Sequence, residues 1–326
     1  VARRHIRDVL RKAFLGARDV DDSREPLPYR VAVLGFLLCV GGLLLWFKLA
    51  GMAVWVGALF LALLWTVLIG YARIRAETGT PSIWARPHTQ LREFPFYTFG
   101  SDAFKVGGSY KTLSVWTHHF FLVHGGFFDQ SMVYQLEAFK LADELGVPRR
   151  RMVLTGFLAL IIGLAMAYWM FLTTYYEYGA NVLAGGQKSV TGGVRIMYCK
   201  QSYDMLSGFV DNPRPPDLAR NVATGVGFFV ASALIAVRVI LLRFPLHPLG
   251  YIMASVIGHQ LWWAFFVAWF FKTIILRLGG VRLYRRLVPF FIGVIMGHYI
   301  TAGLVWGLLS AYGSEELFRR YGVWFG

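Results

Sequence analysis

The sequence is poor in charged residues, and acidic residues are the scarcest. Asp, Glu, Lys and Arg make up 16% of the 326 residues, below the roughly 25% typical of soluble domains. Hydrophobic residues account for 56% and aromatic residues for 17%. The 33 Lys and Arg outnumber the 18 Asp and Glu, which leaves a formal net charge of +15. Because the bases stand outside long uncharged stretches, the pattern indicates a membrane protein and argues against nucleic acid as a partner.

Signatures of catalysis and of metal or disulfide cross-links are also lacking. Cys39 and Cys199 form neither a disulfide framework nor a CxxC metal motif. The chain has no HExxH, no P-loop, no Ser-His-Asp order and no GxGxxG motif after a strand. No Asp or Glu stands in the middle of a long apolar stretch, which argues against a proton-coupled mechanism built on a membrane carboxylate. We therefore expect no enzymatic activity and no cofactor.

What the sequence has in abundance is long apolar stretches, near the ~20 residues that a helix needs to cross a bilayer. Residues 31–49, 52–71, 152–175, 222–242 and 287–309 have this character. The sequence therefore predicts an all-α fold, a polytopic transmembrane helix bundle of about six spans, one of them broken or re-entrant. The expected order is a basic amphipathic N-terminal segment (1–28), a transmembrane hairpin (29–72), a loop with an amphipathic helix (73–151), a transmembrane bundle (152–312) and a C-terminal tail (313–326).

The N-terminal segment has two interpretations. Its apolar residues recur at helical spacing between bases, which is typical of an amphipathic helix on a membrane surface. A solvated charged tail is the alternative. The loop 73–151 contains a second amphipathic pattern at 132–142, which predicts a helix that braces the bundle or couples its motion.

Basic residues also predict which side of the membrane each loop faces. The N-terminal segment, the loop 73–151 and the cluster 277–286 hold most of the bases, so all three should be cytoplasmic, with the loop 179–220 outside. The cluster at 277–286 can be cytoplasmic only if residues 245–276 enter the membrane and return to the same side instead of crossing it. We therefore predict that 245–276 is a re-entrant hairpin or two half-length helices. One long tilted helix is the alternative.

We expect the functional site at this break. The prolines and the glycine of a broken-helix motif interrupt regular helix, and interrupted helices at membrane depth line cavities or are buried in protein. In transporters the ends of such half-helices bind substrates or ions. The motif consists of His247, Pro248, Gly250 and Tyr251, and the substrate-pathway candidates are Ser255, Gly258, His259, Gln260 and, in the last span, His298.

Histidines also raise the question of a metal or haem. His259 and His298 each follow a glycine and have the chemistry to ligate either, but a hydrogen bond across a helix interface explains them without a ligand. His118, His119 and His124 are a second candidate metal site, less favoured than a buried or interfacial aromatic segment. We predict no bound metal. Small residues that favour close helix packing recur in the last span at Gly293, Gly297, Gly303 and Gly307.

Three motifs resemble a known family. They are Ala72-Arg73-Ile74-Arg75-Ala76-Glu77-Thr78-Gly79-Thr80-Pro81, then Gln135-Leu136-Glu137-Ala138-Phe139-Lys140-Leu141-Ala142-Asp143, then His247-Pro248-Leu249-Gly250-Tyr251 with Leu276-Arg277-x-Gly279-Gly280 and Leu283-Tyr284-Arg285-Arg286. Together they resemble the C-terminal half of a bacterial family of multi-pass membrane proteins of unknown function, distantly similar to oligopeptide-transporter-type permeases. The resemblance covers most of 29–312. It implies a bacterial cytoplasmic membrane location and, since the chain begins at Val1, a fragment or a processed product.

These observations lead to two functional hypotheses. The first is a permease-like protein, or half of one, that moves a small polar or peptide-like solute through a pathway including 245–260. The second is a structural or accessory subunit of a larger membrane complex. Both imply the lipid bilayer as a partner, and both leave room for other membrane subunits or a missing N-terminal half.

Overall fold

The computed structural model describes residues 2–23, 25–79, 90–119, 131–179, 193–241, 244–254 and 259–313. Over these residues it contains helices and turns and no strand, which confirms the predicted all-α class. The chain forms two compact units, Val1–Ile257 and Gly258–Gly326. The helices of the first unit are α1 (Ala2–Leu15), α2 (Tyr29–Leu49), α3 (Val54–Thr78), α4 (Gln90–Phe99), α5 (Lys111–His119), α6 (Ser131–Glu144), α7 (Arg149–Tyr178), α8 (Gly193–Asp211), α9 (Leu218–Ile240) and α10 (Pro248–Met253).

Five helical segments among the described residues are long and apolar enough to cross a membrane. Four of them, in α2, α3, α7 and α9, lie where the sequence predicts spans. The fifth, Trp262–Leu309 in the second unit, contains the predicted last span 287–309. The count of about six spans stays a prediction. Apolar side chains cover these helices because lipid tails, unlike water, impose no cost on an exposed hydrocarbon surface. The helices support an integral membrane protein, as predicted.

α1 is the predicted N-terminal amphipathic helix. Its Ala13 side is buried, whereas Ile6, Leu10 and Phe14 remain exposed between arginines. It is joined to the start of α2 by an edge-to-face contact of His5 with Tyr29, whose ring centroids are 5.9 Å apart. Whether the exposed apolar side of α1 lies on a lipid surface stays a prediction.

α2 and α3 form the predicted hairpin, and its turn defines what we call the hairpin end of the first unit. The turn is tight because Gly51 adopts φ 96°, a conformation that L side chains rarely take. Gly57 lies so close to Phe47 that a Cβ there would meet the ring at 3.0 Å. This close approach lets the two helices pack side by side near the turn.

The opposite end of α3, which we call the far end, is packed by other elements. Tyr71 and Ala72 are buried with Val133 of α6, and Leu249 of α10 packs against the same cluster. Arg75 donates to the Glu137 carboxylate of α6. The loop 73–151 therefore contributes α6 to the packing at the far end. α6 includes residues 132–142, for which the sequence predicts an amphipathic helix.

The starts of α2 and α7 also lie at the far end. Arg149 at the start of α7 pairs with Asp143 of α6 and lies 4.0 Å from the Glu25 carboxylate ahead of α2. The side-chain hydrogen bond from Arg149 lowers the pKa of Asp143 below its ordinary value. By contrast, the start of α9 lies at the hairpin end. Asn221 near this start donates a hydrogen bond to the Tyr97 carbonyl of α4 at 2.9 Å, and α4 packs with the hairpin-end residues of α3. α2 therefore runs from the far end to the hairpin end and α3 runs back, whereas α7 starts at the far end and α9 starts at the hairpin end.

The second unit contains α11 (His259–Tyr299), a π-helical segment (Ile300–Val305) and α12 (Trp306–Tyr312). α11 is interrupted at Gly280, where φ is 60° and ψ is −160°. Only glycine adopts this region without strain. Gly279 is also required, since a Cβ there would collide with the Leu283 side chain. The break splits α11 into two limbs, 259–279 and 281–299.

The predicted broken segment 245–276 contains two separate helices, α10 and the first limb of α11. The linking residues 255–258 are outside the described residues, so the re-entrant turn stays a prediction. The two arms are unequal. α10 has six residues, whereas residues 259–279 rise about 30 Å at 1.5 Å per residue, enough for a full crossing.

Replacement of Gly280 tests whether the break is built into the chain. Gly280→Ala forces a side chain into a glycine-only conformation, and the expected loss is about 1–3 kcal/mol of stability. Thermal unfolding of the purified protein in detergent, followed by static light scattering, would show a lowered midpoint.

Gly293→Ala is the matched control, since Gly293 lies in the same helix at negative φ with open space around its Cβ position. Equal midpoints for both variants would contradict a required break at Gly280.

Candidate functional site

The residues predicted to form the pathway are only partly within the described structure. Ser255 and Gly258 lie outside it, and His259 and Gln260 are described as helix positions at the start of α11 without their side chains. His298 is exposed on α11, with its ring 5.8 Å from that of Tyr299. Nothing in the described residues brings these candidates together, so their role in a pathway stays a prediction.

The broken-helix motif forms a helix start. The His247 ring nitrogen Nδ1 accepts a hydrogen bond from the Leu249 N–H at 3.0 Å, which caps α10. Pro248 occupies the first helical position, where the missing N–H costs nothing. Tyr251 reaches α9, with its hydroxyl 3.6 Å from where a Cβ on Gly227 would lie. The motif therefore places α10 between the far end of α3 and the side of α9.

The four packing glycines of the last span and the histidines of the aromatic segment have different outcomes. No described atom lies within 4 Å of a Cβ position on Gly293, Gly297, Gly303 or Gly307, so their packing role stays a prediction. His124 and the side chain of His119 lie outside the described residues. His118 is held by its own helix, with Nδ1 2.7 Å from the Ser114 carbonyl oxygen. Within the described part of the chain, no three metal-ligating side chains cluster.

The main packed region of the first unit includes the described part of the aromatic segment 112–128, which we predict to be buried or interfacial, but its packing against α3 was not predicted. α4, a short 3-10 turn (Asp102–Phe104) and α5 form an inserted layer that packs on the hairpin-end half of α3. Trp116 and Phe104 are fully buried, with ring centroids 5.4 Å apart. Half-buried residues down to Leu68 of α3 pack against the same core. The inserted layer therefore lies alongside a predicted membrane span over about half its length.

Thr112 joins the inserted layer to the hairpin. Its hydroxyl oxygen accepts a hydrogen bond from the Ala53 N–H at 3.1 Å, and the hydroxyl lies 3.4 Å from the Gly51 carbonyl. The residue is 3% exposed. The first N–H groups of a helix have no partner within the helix, so a buried hydroxyl from α5 supplies one for α3.

Polar atoms in the inserted layer are unusually enclosed. The Arg92 Nε and the His118 Nε2 are buried and find no hydrogen-bond partner among the described residues. The His118 ring contacts Tyr203 of α8 edge to face, at 4.4 Å between centroids. Buried polar groups normally have partners, so these two nitrogen atoms are exceptions within the packed layer.

A pocket of about 420 Å³ opens where α4, α8 and the start of α9 meet at the hairpin end. We call it the terminal pocket. Backbone hydrogen bonds fix its walls: the Ser101 N–H donates to the Arg214 carbonyl, and the Arg214 N–H donates to the Ser101 hydroxyl, each at 2.9 Å. Its lining consists of Glu93, Phe96, Tyr97, Met205, Phe209, Arg214, Pro215, Pro216, Asp217, Leu218 and Arg220.

Charges of both signs line the terminal pocket. Arg220 lies 3.3 Å from the Asp217 carboxylate and 3.9 Å from that of Glu93. Arg214 lies over the Phe209 ring at 5.3 Å. None of these residues was singled out from the sequence, because Glu93 and Arg220 are far apart along the chain and only the fold brings them together.

Replacement of Thr112 tests the link between the inserted layer and the hairpin. Thr112→Val keeps the shape of the side chain but leaves the half-buried Ala53 N–H without its partner, at an expected cost of about 1 kcal/mol. Thermal unfolding in detergent would show the loss as a lowered midpoint.

The control is Thr155→Val, because the Thr155 hydroxyl is exposed and bonds only to its own helix. A Thr112→Val midpoint no lower than the control's would contradict the link.

Comparison with known proteins gives one match. A protein-family model described as a family of unknown function (DUF6785) matches residues 1–324. No curated protein and no solved structure was found to match.

Proposed function

This chain belongs to that family of unknown function (DUF6785), and we propose that it is a permease-like integral membrane protein that moves a small polar or peptide-like solute. The observation that carries the proposal is the inserted layer. α4 has 10 residues and α5 has nine, which corresponds to about half of a 30 Å hydrocarbon core. Non-helical turns at membrane depth persist where protein or a water-filled cavity satisfies the backbone, and transporters build their substrate sites from such half-helices.

The geometry of the first unit supports this reading. The core holds α4 and α5 against α3, and α3 is one of the helices suited to cross a membrane. If α3 crosses, the loop 73–151 enters from the far end, reaches the hairpin end at Ser101 and returns to α6. We therefore propose that α4 and α5 form a re-entrant pair, and that the pathway runs along it and along 245–260.

The orientation is proposed from charge. With the N-terminus in the cytoplasm, the far end faces the cytoplasm and the hairpin end faces outside, in the bacterial cytoplasmic membrane or its equivalent. The length of 259–279 favours a full crossing, whereas the arginines at 277–286 favour a return to the cytoplasm. We propose that the arginines determine the topology, so that they lie in the cytoplasm and 245–276 is re-entrant.

Solvent access to the inserted layer tests the permease. In a background with Cys39 and Cys199 replaced by serine, Ser114→Cys should react with a small hydrophilic thiol reagent in proteoliposomes, because α5 lines the proposed aqueous pathway. The reaction is followed by mass spectrometry.

Leu158→Cys on the exposed apolar surface of α7 is the control and should stay unmodified in lipid. An unreactive Ser114→Cys, together with no solute flux in a broad counterflow screen, would remove the permease proposal.

The side of residue 282 tests the re-entrant segment. In the same cysteine-free background, Arg282→Cys in intact cells should be protected from a membrane-impermeant maleimide, because we place the basic cluster in the cytoplasm. Arg214→Cys at the hairpin end is the comparison and should react. Reaction of both variants from outside would mean that 259–279 crosses the membrane completely.

The second candidate function is that of a subunit in a larger membrane complex. A specific observation favours it: α7 is 30 residues long and no residue of it is buried. Gly156 and Gly163 leave open space on its surface that would let another helix approach closely. Native mass spectrometry of the gently solubilised protein would show a stoichiometric partner in this case and a lone chain in the case of a self-contained permease.

A further inference from the structure

The terminal pocket has a distribution of charge that specifies a ligand. Arg214 makes no ion pair with any described residue, and its guanidinium lies over the Phe209 ring. The arginine side chain is not needed for the local fold, because its two hydrogen bonds with Ser101 come from the backbone. The pocket lining therefore includes an exposed arginine that makes no ion pair with a described residue and lies beside an aromatic ring.

Two carboxylates line the pocket beside a single paired arginine. Arg220 lies near both Asp217 and Glu93, and Arg92, which is not among the lining residues, also interacts electrostatically with Glu93. Asp217 is also engaged at the start of α9, where one of its oxygens accepts from the Arg220 N–H at 3.0 Å. The Glu93 carboxylate has no such second hydrogen bond among the described residues, and it lies 3.9 Å from Arg220. The pocket as a whole is neutral but polarised.

The rest of the lining is largely apolar. The Phe96 and Phe209 rings are in tilted contact, with centroids 4.5 Å apart and 48° between their planes, and both residues are buried. Met205, Pro215, Pro216 and Leu218 also line the pocket. A volume of about 420 Å³ is within the usual range for sites that hold small molecules.

We propose that the terminal pocket binds a zwitterion with an apolar body. Its anionic group would pair with Arg214, its cationic group with Glu93, and its apolar part would lie on Phe96 and Phe209. Two sources carry this chemistry: a free solute such as an aromatic amino acid, and the headgroup of a zwitterionic lipid, since Leu218 at the pocket rim is exposed at the end of a predicted span. Binding in detergent requires no movement across a membrane, so the pocket is independent of permease activity.

Calorimetric titration of the purified full chain in non-ionic detergent tests the proposal. The probes are L-phenylalanine, its anion-only analogue 3-phenylpropionate, its cation-only analogue 2-phenylethylamine, and dilauroylphosphatidylethanolamine. We expect a zwitterion to bind and each single-charge analogue to bind about tenfold more weakly or worse, since each lacks one charged hydrogen-bonding partner.

Variants assign the binding to the pocket. Arg214→Gln should weaken zwitterion binding about tenfold, Arg214→Lys should retain most of it, and Arg151→Gln, which changes an exposed arginine outside the pocket, should change nothing. Circular dichroism of each variant confirms that the fold is intact.

The outcomes separate the alternatives. Binding of phenylalanine identifies a solute site, and binding of the phospholipid alone identifies a headgroup site; both support a zwitterion pocket. The proposal is overturned if neither zwitterion binds, if 3-phenylpropionate binds as tightly as phenylalanine, or if Arg214→Gln has no effect. Binding without flux in proteoliposomes would contradict the permease and leave the pocket in place.

Discussion

The first unit depends on the packing of Trp116 and Phe104 against the first turns of α3. Both side chains are fully buried, in a chain where α7 and α9 have no buried residue. In a bilayer the tails around a helix are as apolar as its side chains, so helices gain little by leaving lipid and associate through close packing. A dense aromatic cluster supplies that packing here. Without this cluster, α4 and α5 would lose the packing that holds them against the hairpin.

If α4 and α5 lie within the membrane as proposed, aromatic packing alone would leave backbone groups unpaired in an apolar surrounding. The turn between α4 and α5 avoids this cost by exchanging hydrogen bonds with other elements: Ser101 pairs with the backbone of Arg214, and Tyr97 receives two donors from the start of α9. Gly100 permits the approach with φ 78°, since a Cβ would lie 3.1 Å from the Arg214 carbonyl oxygen. The same contacts that satisfy the turn also form the wall of the terminal pocket. The contacts that stabilise the turn are therefore also the contacts that form the candidate site.

The long spans could be predicted from the sequence because their signal is local. Each needs only enough consecutive apolar residues. α2, α7 and α9 begin and end within about four residues of the expected limits, whereas α3 continues to Thr78, beyond the expected end at residue 71. The motif at His247 was recognised as a break for a similar local reason, although its proline begins a helix instead of ending one. The helical limb that follows this motif is longer than expected. It continues to the break at Gly280, beyond the predicted end of the segment at residue 276.

The inserted layer gave no signal of a membrane segment, although the aromatic residues around His118 predicted a buried or interfacial segment. α4 contains Glu93 and Pro95 within 10 residues, and α5 has nine residues, three of which, Lys111, His118 and His119, are basic or titratable, so neither reads as a membrane segment. Their position follows from contacts with α3, α8 and α9, which are distant in the sequence. The terminal pocket shares this origin, because Glu93 meets Arg220 only through the fold. The site is formed by pairs of residues that are far apart in the sequence, and hydropathy and motif spacing do not reveal such pairs.

The central claim is that α4 and α5 lie within the thickness of the membrane. A density map of the protein in a lipid nanodisc, with a bound antibody fragment for size, measures this directly. The account predicts that Trp116 lies inside the disc boundary, level with Phe60 of α3, and that the turn at Ser101 lies at the headgroup region on the hairpin side. Density for α4 and α5 wholly outside the disc would contradict it.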